Sequence, residues 1–263
     1  MRKREARYFV GDFETTVYEG QTSTEVWASA CVELGTEDVK IFNSIEQQYA
    51  YFLSLNDNII CYYHNLKFDG HFWLSYLMNV LEYKEALDIN GPSPVDIDWK
   101  YDKDMKNKTF KYSISNMGQW YTITIKENNK IIQFRDSLKL LPFSVKKIGD
   151  SFGTKHKKLD MEYTGYRYAG CTISDEEKHY IANDVLVVKE ALELMFDEGH
   201  QDLTIGSCCL TEFKKTFYTN KDYEKTFPNI YLEMIDPNIH SVDNAGEWIR
   251  KSYKGGWCYV YRR

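Results

Sequence analysis

Two acidic residues directly follow the first apolar segment of the chain. They limit where the end of that segment can lie in a folded protein. Residues 6–11 read as a β-strand, and Asp12-Phe13-Glu14 follows them directly. Alternate residues of a strand face the same side, so Asp12 and Glu14 point the same way. Two carboxylates side by side repel each other unless a cation lies between them. A lone Asp-x-Glu would more simply be a polar strand end that enters water.

A second acidic position follows another buried strand. Residues 59–63 are apolar, the chain turns at His64-Asn65, and a helical pattern runs over residues 67–81. Asp69 lies in the first turn of that helix. An acid there is also favoured by the helix dipole and by unpaired backbone N–H groups. A purely structural role is therefore the alternative for Asp69.

A third acidic position lies inside the strongest helical pattern of the chain. Ser174, with Glu177 three residues later, forms a capping-box signature, and Gly199 marks the end of the helix. Tyr180 and Asp184 are four residues apart and therefore share a helix face. A carboxylate beside the apolar stripe of a helix is costly to bury unless it is paired or bound to a metal. Taken together, the three acidic positions favour a shared metal site over three acids with separate structural roles.

The order of these motifs resembles that of a known enzyme family. Asp-x-Glu, then Asn-Leu-x-Phe-Asp, then Tyr-x-x-x-Asp is the pattern of the proofreading 3′–5′ exonucleases with four acidic residues and a tyrosine. More narrowly, the chain resembles the N-terminal exonuclease domain of the protein-primed family B DNA polymerases of small linear-genome bacteriophages. The supporting segments span nearly the whole chain and comprise residues 64–70, 117–121, 136–143, 145–148 and 253–256.

The resemblance implies an α/β fold of the ribonuclease H type, with a mixed central sheet flanked by helices. Local patterns by themselves predict only α/β. We expect an exonuclease domain at residues 1–202 with an irregular insertion at 82–108. Residues 203–263 would form a helical connection and a Tyr-x-Gly-Gly border segment toward an absent polymerase domain. The predicted strands are 6–12, 25–33, 38–43, 59–63, 110–115, 120–126 and 131–135, and the predicted helices are 45–55, 67–81, 144–152, 174–198 and 203–217.

The resemblance also implies a two-metal site that takes two Mg²⁺ or Mn²⁺ ions. In the family's scheme Asp12 bridges the ions, Glu14 and Asp184 complete the site of the attacking water, and Asp69 supports the second ion. Tyr180 orients the nucleophile, since a neutral phenol is a poor base near pH 7. Lys158 stabilises charge on the scissile phosphate. The catalytic set is therefore Asp12, Glu14, Asp69, Lys158, Tyr180 and Asp184, and its four acids are the metal ligands.

Single-strand ligands carry over from the family in the same way. Phe68 would stack on a base. Core packing is the alternative to a ligand role for both Phe68 and Leu138. A zinc site built from His64 and His71 is disfavoured because no cysteine supports it. The basic run 155–158 is also typical of a solvated loop. The implied DNA ligands are Thr15, His64, Asn65, Phe68, Ser137, Leu138, Tyr253, Gly255 and Gly256.

The amino-acid composition limits the kind of binding surface and the cellular compartment to be expected. A net charge of −6 argues against a broad DNA-coating surface and fits a narrow site for a few nucleotides. The 21 tyrosines offer rings for base stacking. The cysteines lack Cys-x-x-Cys spacing, and no signal peptide or long apolar span occurs. These features predict a reducing, cytoplasmic setting, which for a viral protein is the host cytoplasm.

We therefore expect a 3′–5′ exodeoxyribonuclease that is the proofreading part of a DNA-directed DNA polymerase in viral DNA replication. Its expected partners are a single-stranded DNA 3′ end and a polymerase domain or subunit, with terminal protein left open and no membrane. The family's polymerase carboxylate motifs do not occur up to Arg263. This predicts either a fragment or one half of a split polymerase. The alternatives are a non-catalytic DNA- or partner-binding subunit with the same fold, and a free-standing nuclease, against which the Tyr-x-Gly-Gly segment argues.

Overall fold

The computed structural model describes residues 6–16, 18–86, 102–161 and 166–227. The chain divides into two compact units, Met1–Cys208 and Cys209–Arg263. The sheet lies in the first unit. The described part of the second unit contains a cluster of aromatic rings from Phe213, Phe217, Tyr223 and Phe227.

One mixed sheet of eight strands organises the first unit, in the order β3-β2-β1-β4-β8-β7-β6-β5. β1, β4 and β8 run parallel to one another, whereas β2, β3 and β7 pair antiparallel with their neighbours. The carboxyl ends of the three parallel strands therefore meet at one edge of the sheet. The strands are β1 (Ala6–Thr15), β2 (Val26–Glu33), β3 (Lys40–Phe42), β4 (Asn58–Tyr63), β5 (Lys84–Glu85), β6 (Thr109–Ile114), β7 (Trp120–Glu127) and β8 (Lys130–Asp136).

Helices cover both faces of this sheet. α1 and α2 pack on one face, and α3 and α4 pack together on the other, where α4 crosses β1 and β2. No helix in the described ranges is both long and apolar enough to cross a membrane. The helices are α1 (Ile45–Ser54), α2 (Leu66–Ser75), α3 (Val145–Ser151), α4 (Asp175–Asp197), α5 (Ile205–Lys215) and α6 (Asn220–Thr226), with short 3-10 turns at Asp102–Asp104 and Ser137–Lys139.

The alternation of β1 sorts its side chains between two cores. Phe9 and Phe13 are buried with the rings of α1 and α2 on one face. Val10 is buried on the other face with Ile181 and Val185 of α4. Positions 12 and 14 have the parity of Val10, so they extend the face that α4 crosses. The predicted common orientation of the two acids therefore directs them toward that helix.

Local signals fixed several element boundaries correctly. Asn128 and Asn129 have φ values of 49° and 56° and form the predicted hairpin turn between β7 and β8. Ser174 and Glu177 make both hydrogen bonds of the predicted capping box at the start of α4. Gly199 follows that helix with a φ of 85°, where a side chain would be strained.

Other boundaries differ from expectation. The helix predicted over 67–81 is α2 followed by a π-helical turn at Tyr76–Val80. The region 82–108, expected to be irregular, contributes β5, which pairs in parallel with β6. Residues 87–101 of that region lie outside the described chain. No sequence pattern predicted α6.

A buried lysine joins α1 to the start of β8. Lys130 is only 2% exposed. Its Nζ donates to the carbonyl oxygens of Phe52, Leu53 and Leu55 at 2.7, 2.9 and 2.6 Å. These carbonyls end α1 and carry the negative end of its dipole, so a cation there satisfies groups that the helix leaves unpaired.

Lys130→Met is therefore expected to lower the free energy of unfolding by about 2–3 kcal/mol, because the apolar stem survives while three buried carbonyls lose a charged donor. Urea denaturation followed by circular dichroism measures the change. Lys178→Met, which removes an exposed lysine paired with Asp175 at 2.9 Å, is the matched control and should change stability by less than about 1 kcal/mol. Equal losses in both variants would contradict the role given to Lys130.

Candidate metal and nucleic-acid site

Three carboxylates from two elements converge at the carboxyl edge of the parallel strands. Asp12 and Glu14 come from the end of β1, and Asp184 comes from the middle of α4. One ligand oxygen from each lies within 4.8 Å of the others. Strand parity and the crossing of α4 bring them together, so the cluster follows from the packing described above. Such spacing of hard oxygen donors suits a divalent cation.

Asp69 lies next to this cluster without being one of the three. Its side chain is 2% exposed, and its Oδ1 accepts a hydrogen bond from the backbone N–H of Phe13 at 3.2 Å. Gly70 lets α2 approach β7, since a Cβ there would meet the Trp120 ring at 2.7 Å. A backbone hydrogen bond of this kind is what a structural acid makes. Because the donor, Phe13, lies between Asp12 and Glu14, the same bond also holds Asp69 beside those two acids.

The charges of the four acids oppose one another. Burial, followed by the charges of Asp69, Glu14 and Asp184, raises the pKa of Asp12 well above its usual value. Burial also raises the pKa of Asp69 to about 8, with Glu14 adding to the shift. Carboxylates buried this close together repel one another, and a bound cation would relieve that repulsion.

Asp184 provides the most direct test of whether a cation fits. Its Oδ1 is buried and has no hydrogen-bond partner among the described residues. Its Oδ2 accepts from Lys158. An unpaired buried carboxylate oxygen costs free energy, so a ligand on Oδ1 is favoured. The residues present therefore fit a metal ion.

Lys158 and Tyr180 complete the arrangement around Asp184. The Lys158 Nζ donates to the Tyr180 hydroxyl oxygen at 2.7 Å and lies 4.5 Å from the centre of that ring. Burial opposes the lysine's charge, but the hydrogen bonds to Asp184 and Tyr180 outweigh it and raise the pKa of Lys158. For Tyr180 it is burial that raises the pKa, because burial disfavours the phenolate. The site thus holds a protonated amine and a neutral phenol beside the acids.

Thr15, Asn65 and Phe68 lie on elements at the same edge. Thr15 ends β1 next to an irregularity in the pairing with β2, and its carbonyl accepts from the Trp27 indole at 3.2 Å. Asn65 is exposed with a φ of 70° just before α2. Phe68 is 48% exposed and touches Phe72 edge-on. The core-packing alternative for Phe68 is therefore excluded, and its ring is available to a ligand.

His64 and Ser137 are engaged within the protein. The His64 Nε2 donates to the Phe143 carbonyl at 2.7 Å, and its Nδ1 is 3.0 Å from the Ser137 hydroxyl. Ser137 is fully buried, and Leu138 next to it is half-buried. Both ring nitrogens of His64 therefore have partners within the protein. The His71 ring lies against the Trp120 ring, with the centroids 4.7 Å apart and the planes tilted by 43°.

Asp136 was missed as a site residue in the analysis of the sequence. It ends β8 and is 2% exposed. Its Oδ1 accepts from the backbone N–H groups of Asn65, Leu66 and Leu138 at 3.1, 3.2 and 3.0 Å. It thus fixes the start of α2 and the 3-10 turn that carries Leu138. The sequence offered two signals, an acid at the end of a strand and its place at the start of the family-like segment 136–143.

The last three predicted DNA ligands lie outside the residues that the structure describes. Tyr253, Gly255 and Gly256, the predicted border segment, lie beyond the described part of the chain. The four acids, Tyr180 and Lys158 are brought to one place by the fold. Their individual roles remain predictions.

The chain is similar to known phage proteins over nearly its whole length. It is 34% identical over 260 residues to a DNA polymerase of Bacillus phage B103, which covers 97% of this chain and 40% of that protein. It is 33% identical to the DNA polymerase of Bacillus phage phi29, covering 100% and 41%, and 30% identical to that of Streptococcus phage Cp-1, covering 87% and 38%. The chain therefore spans about two fifths of the length of these relatives.

Solved structures agree with this similarity. Phi29 DNA polymerase complexed with single-stranded DNA matches with a TM-score of 0.67 and 32% identity over 82% of this chain and 36% of that one. The same polymerase complexed with primer-template DNA matches with a TM-score of 0.68. The predicted fold class, a mixed sheet flanked by helices of the ribonuclease H type, is confirmed by this match. A sequence model of the family described as DNA polymerase type B, organellar and viral, matches residues 53–171. Sequence and fold together show that the chain is homologous to the matching two fifths of these phage DNA polymerases.

Proposed function

We propose that the chain is a 3′–5′ exonuclease that removes nucleotides from single-stranded DNA 3′ ends with the help of two divalent cations. The observation that carries the proposal is the convergence of Asp12, Glu14 and Asp184 within 4.8 Å, with Lys158 and Tyr180 beside them. In the longer relatives this part of the chain would serve as the proofreading domain during viral DNA replication.

The proposed cation ligands are the four acids. Asp12, Glu14 and Asp184 would hold one ion, and Asp12 with the neighbouring Asp69 would support the second. Mg²⁺ and Mn²⁺ are the natural candidates because every donor is a carboxylate oxygen. When bound, two such ions supply a water of lowered pKa and compensate charge on the scissile phosphate.

The protein's own groups would position the reactants. The Tyr180 hydroxyl remains neutral near pH 7 and can donate a hydrogen bond that orients the attacking water. The Lys158 ammonium neighbours Asp184 and can compensate charge on the phosphate oxygens as hydrolysis proceeds. The Lys158 ammonium donates to both Asp184 and the Tyr180 hydroxyl, so one group holds the carboxylate and the phenol next to each other.

A single strand suits the surrounding surface. Phe68 offers an exposed ring for stacking, and Thr15, Asn65 and Leu138 lie on the neighbouring segments of the same sheet edge. Phi29 DNA polymerase, a structural match, was solved with single-stranded DNA. The proposed partners are therefore a DNA 3′ end and the remaining parts of a polymerase, with terminal protein as a further candidate.

Oligonucleotide digestion tests this function. The substrates are a strand blocked at its 3′ end, a strand blocked at its 5′ end, a matched duplex and a duplex with a mismatched 3′ terminus, each with Mg²⁺ and with EDTA. We expect digestion of the 5′-blocked strand and of the mismatched end. The matched duplex should be slower because opening it costs about 1.4 kcal/mol per base-pair step.

Each alternative has its own outcome. Rapid cutting of the 3′-blocked strand would contradict the polarity, and equal rates on matched and mismatched ends would contradict proofreading. Binding of the strand without cutting at any tested Mg²⁺ or Mn²⁺ concentration would favour a non-catalytic subunit.

Tyr180→Phe is expected to slow digestion far less than Asp184→Ala. A hydroxyl that only orients water contributes a hydrogen bond of roughly 0.5–1.5 kcal/mol, whereas loss of Asp184 removes a cation ligand. Single-turnover rates on a 5′-labelled strand measure both. Equal losses would mean that Tyr180 is an obligatory acid or base.

Phe68→Ala is expected to weaken single-strand binding by roughly 1–3 kcal/mol, the value of one stacked base, with a smaller effect on kcat. Leu194→Ala is the matched control, since Leu194 on α4 is also 48% exposed. Fluorescence anisotropy of a labelled strand in Ca²⁺ gives the affinities. Unchanged binding by the Phe68 variant would show that this ring does not stack on DNA.

A further inference from the structure

The segment that carries Lys158 has no regular secondary structure, so its position depends on a few individual hydrogen bonds and ion pairs. We call residues 153–158 the lysine loop. Its Lys157 Nζ donates to the Gly149 carbonyl at the end of α3 at 2.5 Å, and the Thr154 N–H reaches the same carbonyl at 3.3 Å. Lys155 pairs with Glu37 at 2.9 Å, but both side chains are more than 60% exposed. A pair in that much water contributes little.

His156 ties the lysine loop to α4 through two contacts with Glu190. Its ring Nδ1 contacts the Glu190 Oε1, and its backbone N–H donates to the Glu190 Oε2 at 3.3 Å. One carboxylate therefore holds both the ring and the main chain. The side chains are 21% and 16% exposed, so the pair is more shielded from water than the Lys155 pair.

Glu190 stands on the helix that carries the site. α4 provides Tyr180, Asp184 and Glu190. Six helical residues from Asp184 to Glu190 rise about 9 Å along the axis. Two residues of extended chain, from His156 to Lys158, span about 6.6 Å. The loop can therefore run along α4, tied at Glu190 and reaching Asp184 with its lysine.

We propose that Glu190 and His156 form a positioning pair that holds the Lys158 ammonium between Asp184 and the Tyr180 hydroxyl. The pair touches neither DNA nor cation and acts through Lys158 alone. The catalytic part of this inference rests on the function proposed above. The placement of Lys158 itself does not, and it can be measured without any substrate.

The first experiment reads that placement directly. In the chain labelled with ¹³C-lysine, the ε-CH₂ signal of Lys158 is identified by its absence in Lys158→Ala. Because the ammonium lies 4.5 Å from the Tyr180 ring centre, the ring displaces this signal from the other lysines. We expect Glu190→Ala and His156→Ala to move it to the common position. His156→Asn, whose amide can replace Nδ1 as donor, should recover most of the displacement.

Lys155→Ala is the matched control, since it breaks only the exposed pair of the same loop. It should leave the Lys158 signal displaced. A displaced signal in both Glu190→Ala and His156→Ala, with native circular dichroism, would overturn the proposal. If Glu190→Ala fails to fold, His156→Ala decides, because it removes one ring contact and leaves the backbone bond.

The second experiment measures the consequence for hydrolysis. Glu190→Ala should lower kcat on a single strand by about tenfold with KM within about twofold, since a misplaced group slows chemistry rather than binding. In the Lys158→Ala background the same change should have no further effect. Additive losses in this cycle would show that Glu190 does not act through Lys158. An inactive wild-type chain with the expected lysine signals would instead refute the proposed function and leave the positioning pair standing.

Discussion

The chain with both Asp12→Asn and Asp184→Asn is expected to lose 3′–5′ hydrolysis by about 10³–10⁵-fold, which corresponds to roughly 4–7 kcal/mol of transition-state stabilisation. Asn keeps the shape of each side chain but removes the charges that hold divalent cations. These two positions are preferred to Asp69, which also accepts from the Phe13 N–H and so supports β1. Digestion of a 5′-labelled single strand with Mg²⁺ measures the loss.

A matched control shows whether the loss comes from removing any acid of the helix or from removing an acid of the candidate site. Asp175→Asn removes an acid from the first turn of the same helix, where the side chain is 98% exposed. It should digest at the normal rate. Circular dichroism should be native in all variants, because the substituted acids repel one another and are not part of the apolar core. A double variant that is folded and digests normally would refute the assignment of the cation ligands.

Asp136→Ala is expected to have the second largest effect, on both stability and rate. Three backbone N–H groups lose one charged acceptor, at a cost of roughly 2–4 kcal/mol in the free energy of unfolding. The start of α2 and the turn at Leu138 would then shift, and misplacement by about 1 Å lowers a rate by about 10²-fold. Urea denaturation and single-strand digestion measure the two effects.

Asp136→Asn is the conservative comparison, because its Oδ1 can still accept from Asn65, Leu66 and Leu138. It should keep more stability and more activity than the alanine variant. If alanine at position 136 alters neither quantity, the three hydrogen bonds do not organise the edge of the sheet that we propose binds DNA.

Features set by neighbours in sequence were predictable. The turn at Asn128-Asn129 needs residues that tolerate positive φ, and the start of α4 needs an acceptor at Ser174 with an acid three residues on. Strand parity likewise placed Asp12 and Glu14 on one face. Each of these depends on geometry within a few residues, which the sequence displays directly.

Features set by distant partners were not predictable. Asp136 meets the start of α2 across about 70 residues of chain, and His156 meets Glu190 across 34. Nothing local distinguishes these acids and this histidine from solvated ones. Phe68 shows the same limit, since a phenylalanine on a helix is core or ligand depending only on what packs above it. The fold leaves the Phe68 side chain 48% exposed, which excludes core packing, and its role as a ligand stays a prediction.

The location of bound Mn²⁺ tests the central claim most directly. Crystals of the chain soaked in MnCl₂ should show anomalous density for two ions about 3.5–4 Å apart, the spacing of two-metal phosphodiester sites. We predict that both contact Asp12, with Glu14 and Asp184 completing one ion and Asp69 facing the other. Anomalous density elsewhere, or none at these carboxylates at saturating Mn²⁺, would contradict the account.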